Sequence, residues 1–95
     1  MPIVRRPVNL ELIILERFDQ RDFTYWRRNQ YELQQYLGLP GNLTRQMFAT
    51  LRVLVSEAYL ARNVNHVRGE GRRVTYCITD LGCERLEELQ AKTAA

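Results

Sequence analysis

An α+β fold, mainly helical, is predicted by three observations. Apolar residues recur at helical spacing in three separate stretches before residue 59. A turn built on Gly69 and Gly71, with β-tolerant residues on both sides, follows over residues 59–79. Helical spacing then returns after residue 80. With 95 residues, 45% hydrophobic and 26% charged, the chain has material for one domain around one core, and its balance is that of a folded chain.

Each element follows in order. Residues 1–8 read as an irregular basic arm, because Pro2 and Pro7 disfavour helix; Arg5 and Arg6 supply its charge. The domain proper covers residues 9–92, leaving 93–95 as a tail. Asn9 is placed to cap a first helix that runs to about Arg17 or Phe18. Leu10, Leu12, Ile13, Ile14 and Leu15 make that helix apolar on several sides, so more than one neighbour should cover it. Asp19–Thr24 reads as a polar connection. A second helix is expected over Tyr25–Leu37, with Trp26, Leu33, Tyr36 and Leu37 as core positions. Gly38-Leu39-Pro40-Gly41 stops it, Gly38 suiting the left-handed residue that closes a helix. Asn42 then caps a third helix reaching about Ala58. Leu43, Met47, Leu51, Leu54 and Ala58 fall on one stripe of it. Arg45, Ala49, Arg52 and Ser56 take the opposite face, flanked by Gln46, Phe48 and Val53. Tyr59–Val67 and Arg73–Thr79 form a hairpin in which Val74, Tyr76 and Ile78 alternate inward. Thr79 or Asp80 caps a last helix from Leu81 to about Lys92, with Leu86 and Leu89 on one stripe.

Helix, helix, tight turn, helix, β-ribbon and helix make a winged helix-turn-helix with a two-stranded wing and a C-terminal helix. This order divides labour: the third helix buries one face against the first two and leaves the other free to enter a DNA major groove. The charges fit. Net charge is +3, and of 14 basic residues only Lys92 is lysine. Arginine offers a planar fork matched to phosphates and guanine edges. Arg45 and Arg52 stand about two turns apart, with Ala49 between them small enough for close approach. Thr44 and Gln46 near the helix start are placed to hydrogen-bond phosphate or bases. Arg68, Arg72 and Arg73 surround the wing glycines, and Arg5 and Arg6 add the arm. Together they predict one phosphate-tracking surface for double-stranded DNA. Taken singly, an exposed arginine is a solvated side chain and a glycine turn is a turn; their order along the chain carries the expectation.

Other classes fare poorly. There is no glycine-rich phosphate loop, no GxSxG and no HExxH, and His66 is the only histidine, so no enzyme and no cofactor are expected. Cys77 and Cys83 lack the spacing of a metal site and read as free thiols of a reducing compartment. No apolar run approaches the roughly 20 residues of a membrane span. The expectation is a cytoplasmic, nucleoid-associated protein.

The residues also resemble a known family. Tyr31-Glu32-Leu33, Leu39-Pro40-Gly41-Asn42-Leu43, Tyr76-Cys77-Ile78-Thr79-Asp80-Leu81-Gly82 and Arg85-Leu86-Glu87-Glu88-Leu89 are similar to the PadR-like winged-helix proteins, over about residues 28–90. Thr44 stands where that family's pattern has tyrosine, and the long dimerisation domain of larger members has no counterpart in these residues. The resemblance implies a homodimeric DNA-binding transcriptional repressor. It sets Asn42, Thr44 and Arg45 at the DNA-facing start of the recognition helix and Arg68, Arg72 and Arg73 on the wing. Leu86, Leu89 and the apolar first helix are the candidate dimer surface. The alternative within the same chemistry is a DNA-coating or plasmid or viral partition protein with cooperative, low-specificity binding; outside it, a protein–protein adaptor.

Overall fold

A computed structural model of the chain describes residues 9–94. The basic arm, with Arg5 and Arg6, lies outside the described residues. Asn9 caps helix α1 (Leu10–Gln20) as its sequence position predicts, its Oδ1 accepting the Leu12 N–H at 3.2 Å. The other end of α1 is closed from a distance: the Tyr36 hydroxyl lies 2.6 Å from the Arg17 carbonyl and 3.0 Å from that of Arg21. The Arg17 carbonyl also accepts the Arg21 N–H at 3.4 Å, and the one Tyr36 proton adds a donor for the carbonyls of this helix end.

The next stretch departs from the sequence expectation. Phe23–Trp26 is a strand, β1, and helix α2 begins only at Gln30, running Gln30–Leu37. Phe23-Thr24-Tyr25-Trp26 is aromatic and β-branched, and those side chains favour a pleated, half-buried surface. Pairing with a strand far along the chain decides the matter. Phe23 lies opposite Tyr76, and Tyr25 opposite Val74. Trp26 is therefore not a core residue of a helix; it sits half-buried on the sheet. Leu33 and Leu37 are buried as expected, and Tyr36 half so.

The turn after α2 keeps its expected chemistry. Gly38 is left-handed at φ 68°, and the Leu39 N–H returns to the Gln34 carbonyl at 3.2 Å. A single 3₁₀ turn, Gly41–Leu43, then leads into helix α3 (Thr44–Ser56). Asn42 is inside that turn and does not cap α3; the helical start has shifted past it. Met47, Leu51 and Leu54 are buried on the expected stripe, with Leu43 half-buried. Ala58 is not on it. The helix ends at Ser56, and Ala58, exposed at φ 63°, turns the chain into the sheet.

The hairpin consists of β2 (Leu60–Val67) and β3 (Gly71–Ile78). With β1 it makes one antiparallel sheet in the order β1-β3-β2, so the two-stranded wing grows out of a three-stranded base. Val74 and Tyr76 point into the core as the alternation predicts. Helix α4 (Asp80–Ala94) closes the domain. Its start shows what the Ile-Thr-x-x-Gly segment does. The Thr79 hydroxyl accepts the Gly82 N–H at 3.0 Å and donates to the Ala58 carbonyl, while the Thr79 N–H donates to the Tyr59 carbonyl at 3.1 Å. Thr79 thus caps α4 and ties it to the turn after α3. Gly82 is buried against Tyr59, leaving no room for a Cβ.

The core gathers Ile14, Leu15 and Phe18 of α1, Leu33 and Leu37 of α2, the α3 stripe, Tyr25, Leu60, Val74 and Tyr76 of the sheet, and Leu86 and Leu89 of α4. Leu86 and Leu89 are thus spent inside the protomer, at 4% and 7% exposure, and cannot form a dimer surface. Phe23 and Tyr36 stack at 4.2 Å between centroids, and Phe18 packs on Tyr76 at 5.7 Å. Arg85 joins α4 to α1 through Glu11 at 2.7 Å, with Glu88 at 3.2 Å on its other side.

Two measurements check this packing. Gly82→Ala drives a methyl into the Tyr59 carbonyl and to 2.7 Å from the Ile78 side chain. It should cost about 2–3 kcal/mol and lower the melting midpoint by roughly 10 °C or more; an unchanged midpoint would contradict the close approach. Burial, with Tyr76 beside it, pushes the Tyr25 hydroxyl up to about 12, although Arg62 and Arg27 pull it down. In the unfolded chain the group titrates near 10. Because folding raises this pKa, the stability tied to the protonated hydroxyl is complete below about pH 10 and is lost as pH rises through about 12. Ultraviolet titration of the five tyrosines should show a late step together with alkaline unfolding, absent in Tyr25→Phe.

Candidate nucleic-acid interface

The start of α3 is held in place by one side chain of α2. Gln34 donates through Nε2 to the Leu39 carbonyl at 3.2 Å and accepts the Thr44 hydroxyl at Oε1, 3.0 Å away. The Thr44 hydroxyl also lies 2.8 Å from the Gly41 carbonyl. Its single proton is therefore directed into the turn, and Thr44 orients the helix start. Asn42 is exposed beside it.

Beyond that start, Arg45, Gln46, Ala49 and Arg52 are all exposed, opposite the buried Met47, Leu51 and Leu54. A groove of about 660 Å³ follows this flank, lined by Gln30, Gly41, Asn42, Thr44, Arg45, Phe48, Ala49 and Arg52. A second groove, about 530 Å³, lies between α3 and the sheet, and Arg52, Phe48 and Gln30 line both. Its remaining walls are Tyr25, Arg27, Leu51, Val55, Ser56, Arg62 and Tyr76. The two grooves adjoin at these three residues, and among the described residues no acidic side chain lines either.

Strand alternation divides the ribbon's charges. Arg62 lies opposite Tyr76, and both line the groove against α3. Because alternate residues share a face, Arg72 points to the side of Val74 and Tyr76, while Arg73 points to the other. There Arg73 stacks 5.1 Å from the centroid of Trp26, its partner in register. The same outer face carries the Thr24–Thr75 hydroxyl pair at 2.8 Å. Arg68 is exposed at the tip, where Gly69 and Gly71 take φ 79° and 105°. Such angles favour glycine and permit the tight reversal. Arg28 braces the tip from the body, donating to the Glu70 carbonyl at 2.9 Å.

The structure thus brings Arg45, Ala49 and Arg52 together with the α3-side face of the ribbon, and sets Arg73 apart from them. Sequence reasoning missed Arg27 and Arg62. Arg62 was within reach: once Leu60 is taken as inward, alternation puts Arg62 on the same face. Arg27 was not, because its position depends on β1.

Acidic residues concentrate in two helices, with Arg17, Arg85 and Lys92 among them. Glu11, Glu16 and Asp19 lie in α1, and Asp80, Glu84, Glu87 and Glu88 in α4, the two helices that pack together. Helix α3 holds Arg45 and Arg52 and no acidic residue. Among the described residues no group of His, Cys, Asp and Glu is arranged to hold a metal ion, and no helix is long and apolar enough to cross a membrane. Cys77 and Cys83 are both free thiols.

No protein-family model and no curated protein sequence matches the chain. Solved structures do. A PadR family transcription regulator from hypervirulent Clostridium difficile R20291 matches with a TM-score of 0.64 and 17% identity, over 90% of this chain and 86% of that one. Bacillus subtilis PadR in complex with operator DNA matches with a TM-score of 0.65 and 17% identity, over 90% of this chain and 48% of that one. A PadR-like transcriptional regulator from Bacillus cereus matches with a TM-score of 0.60 and 16% identity, over 94% and 50%. The chain spans about half the length of the two Bacillus proteins. At such identities the shared property is the fold: the described domain is a winged helix-turn-helix of the kind found in PadR-family regulators.

Proposed function

We propose that the protein is a DNA-binding transcriptional regulator that sets α3 in the major groove and the arginine-bearing ribbon along the sugar-phosphate backbone or the adjacent minor groove. The observation that carries this reading is the pair of adjoining grooves that runs from Asn42 to Arg62, lined by Arg27, Arg45, Arg52 and Arg62 and, among the described residues, by no acidic side chain. A helix face bearing Arg45, Gln46, Ala49 and Arg52 is shaped for a DNA groove: Arg45 reaches base edges, and the alanine lets the backbone approach. Arg68 and Arg72 extend the surface along the ribbon. The solved relative bound to operator DNA has this fold, which supports the same use here.

The reading includes a homodimer acting as a repressor. Two copies would meet two half-sites about one DNA turn apart. With Leu86 and Leu89 buried, the contact falls to the half-buried Leu10, Leu12 and Ile13 of α1 and to Val53, which is 57% exposed.

Gel-shift titration on the chain's own upstream DNA should give a salt-sensitive complex, with a footprint limited to one short palindrome. Arg45→Ala with Arg52→Ala should weaken it about tenfold or more, since one bidentate base contact accounts for about 1–3 kcal/mol. Unchanged affinity in the double variant would remove α3 from the interface. A long, cooperative footprint would point instead to a DNA-coating protein.

A further inference from the structure

The base of the ribbon carries a charge cluster that no sequence motif marks. Arg27, just past β1, Arg52 on α3 and Arg62 on β2 converge on one groove from three elements distant in sequence. All three are exposed, and none has an ion pair among the described residues. Arg85, by contrast, is held between Glu11 and Glu88. Like charges gathered around one cavity repel each other, and an anion placed among them relieves that repulsion. The floor is firm: Tyr25 and Tyr76 are buried at 4% and 5% exposure and stack at 6.3 Å between centroids.

From this convergence we propose that a DNA phosphodiester strand is gripped at the base of the ribbon by Arg27 and Arg62 together with Arg52. The inference rests on the DNA-binding reading above and adds two contacts to it. The shape selects a chain of phosphates over a single small anion. The groove of the three arginines adjoins a second one at Gln30, Phe48 and Arg52, and that one is lined by Arg45 and Asn42 at the start of α3. A line of positive charge without acidic interruption fits a polyanion that enters at one end and leaves at the other. Register explains why Arg62 belongs to this line and Arg73 does not. Arg62 shares the face of Tyr76, and Arg73 is turned to the opposite face over Trp26.

The test uses the full chain with a short DNA duplex, at several salt concentrations from about 50 to 200 mM. Phosphate contacts are independent of sequence, so any duplex serves at the low end. Each phosphate contact removed should flatten the slope of log affinity against log salt by about 0.9. Arg27→Gln and Arg62→Gln should each show that change together with a several-fold loss of affinity. Arg62→Lys, which keeps the charge, should restore most of the slope, and Arg73→Gln should leave it as in the wild type. Thermal melting of each variant separates a lost contact from a lost fold, and the lysine variant keeps the test valid if the glutamine variant melts early.

Wild-type slopes in Arg27→Gln and Arg62→Gln, with Arg45→Ala still weakening the complex, would overturn this inference and leave the DNA-binding reading standing. No binding by the wild-type chain even at about 50 mM salt would remove both. Saturable binding of inorganic pyrophosphate that Arg62→Gln abolishes, with duplex affinity untouched, would make the groove a small-anion site and equally overturn the inference.

Discussion

Burial of Val74 and Tyr76 is the constraint on which the rest of the structure depends. These two side chains enter the core against Tyr25 and Phe18, and in doing so they fix the register of the whole ribbon. In a strand, a slip of one residue sends every side chain to the other face. With Val74 inward, Arg72 and Arg62 face α3, and Arg73 faces away over Trp26. Two apolar positions in the core thus decide which arginines share a surface with α3. Strand β1 reinforces the choice by pairing along β3 on the side opposite β2.

The other half of the surface depends on two closures made by small or short-reaching residues. Gly38 and Gln34 shape the turn into α3, the glycine by its left-handed backbone and the glutamine by bridging Leu39 and Thr44. Thr79 and Gly82 shape the turn into α4, the threonine as a cap and the glycine by leaving room for the Tyr59 carbonyl. The Ile-Thr-x-x-Gly segment that links the sequence to PadR-like proteins is therefore structural here. It holds α4 against the end of α3. Helices α1 and α4 carry most of the acidic residues, and Glu11 of α1 lies beside the Gln46, Ala49 and Val53 flank of α3.

Much of this was legible in the sequence, and the failures share a cause. Helix α3 read correctly because Met47, Leu51 and Leu54 repeat at a helical interval and Arg45, Ala49 and Arg52 fall opposite them. The hairpin read correctly because Gly69 and Gly71 sit between β-branched and aromatic runs. Strand β1 did not. Phe23–Trp26 is short, and what makes it a strand is its pairing with residues some fifty positions away; local periodicity cannot see that partner. The same blindness hid Arg27, assigned Trp26 to a helical core, and left Leu86 and Leu89 as candidate dimer residues when α1 already covers them. Ala58 continued the helical period of α3 on paper, but the chain has to turn there to reach β2, and that tertiary demand ends the helix first.

The proposed function requires the outer flank of α3 and the α3-side face of the ribbon to form a single surface for one polyanion. Nuclear magnetic resonance of the labelled chain, titrated with duplex DNA at low salt, tests it most directly. Backbone amides of residues 42–52 should shift together with those of Arg27, Arg62, His66 and Arg72, saturating at one concentration, while Thr24 and Thr75 stay unmoved. Shifts centred on α1 and α4, or on the Trp26 face of the sheet, would contradict it.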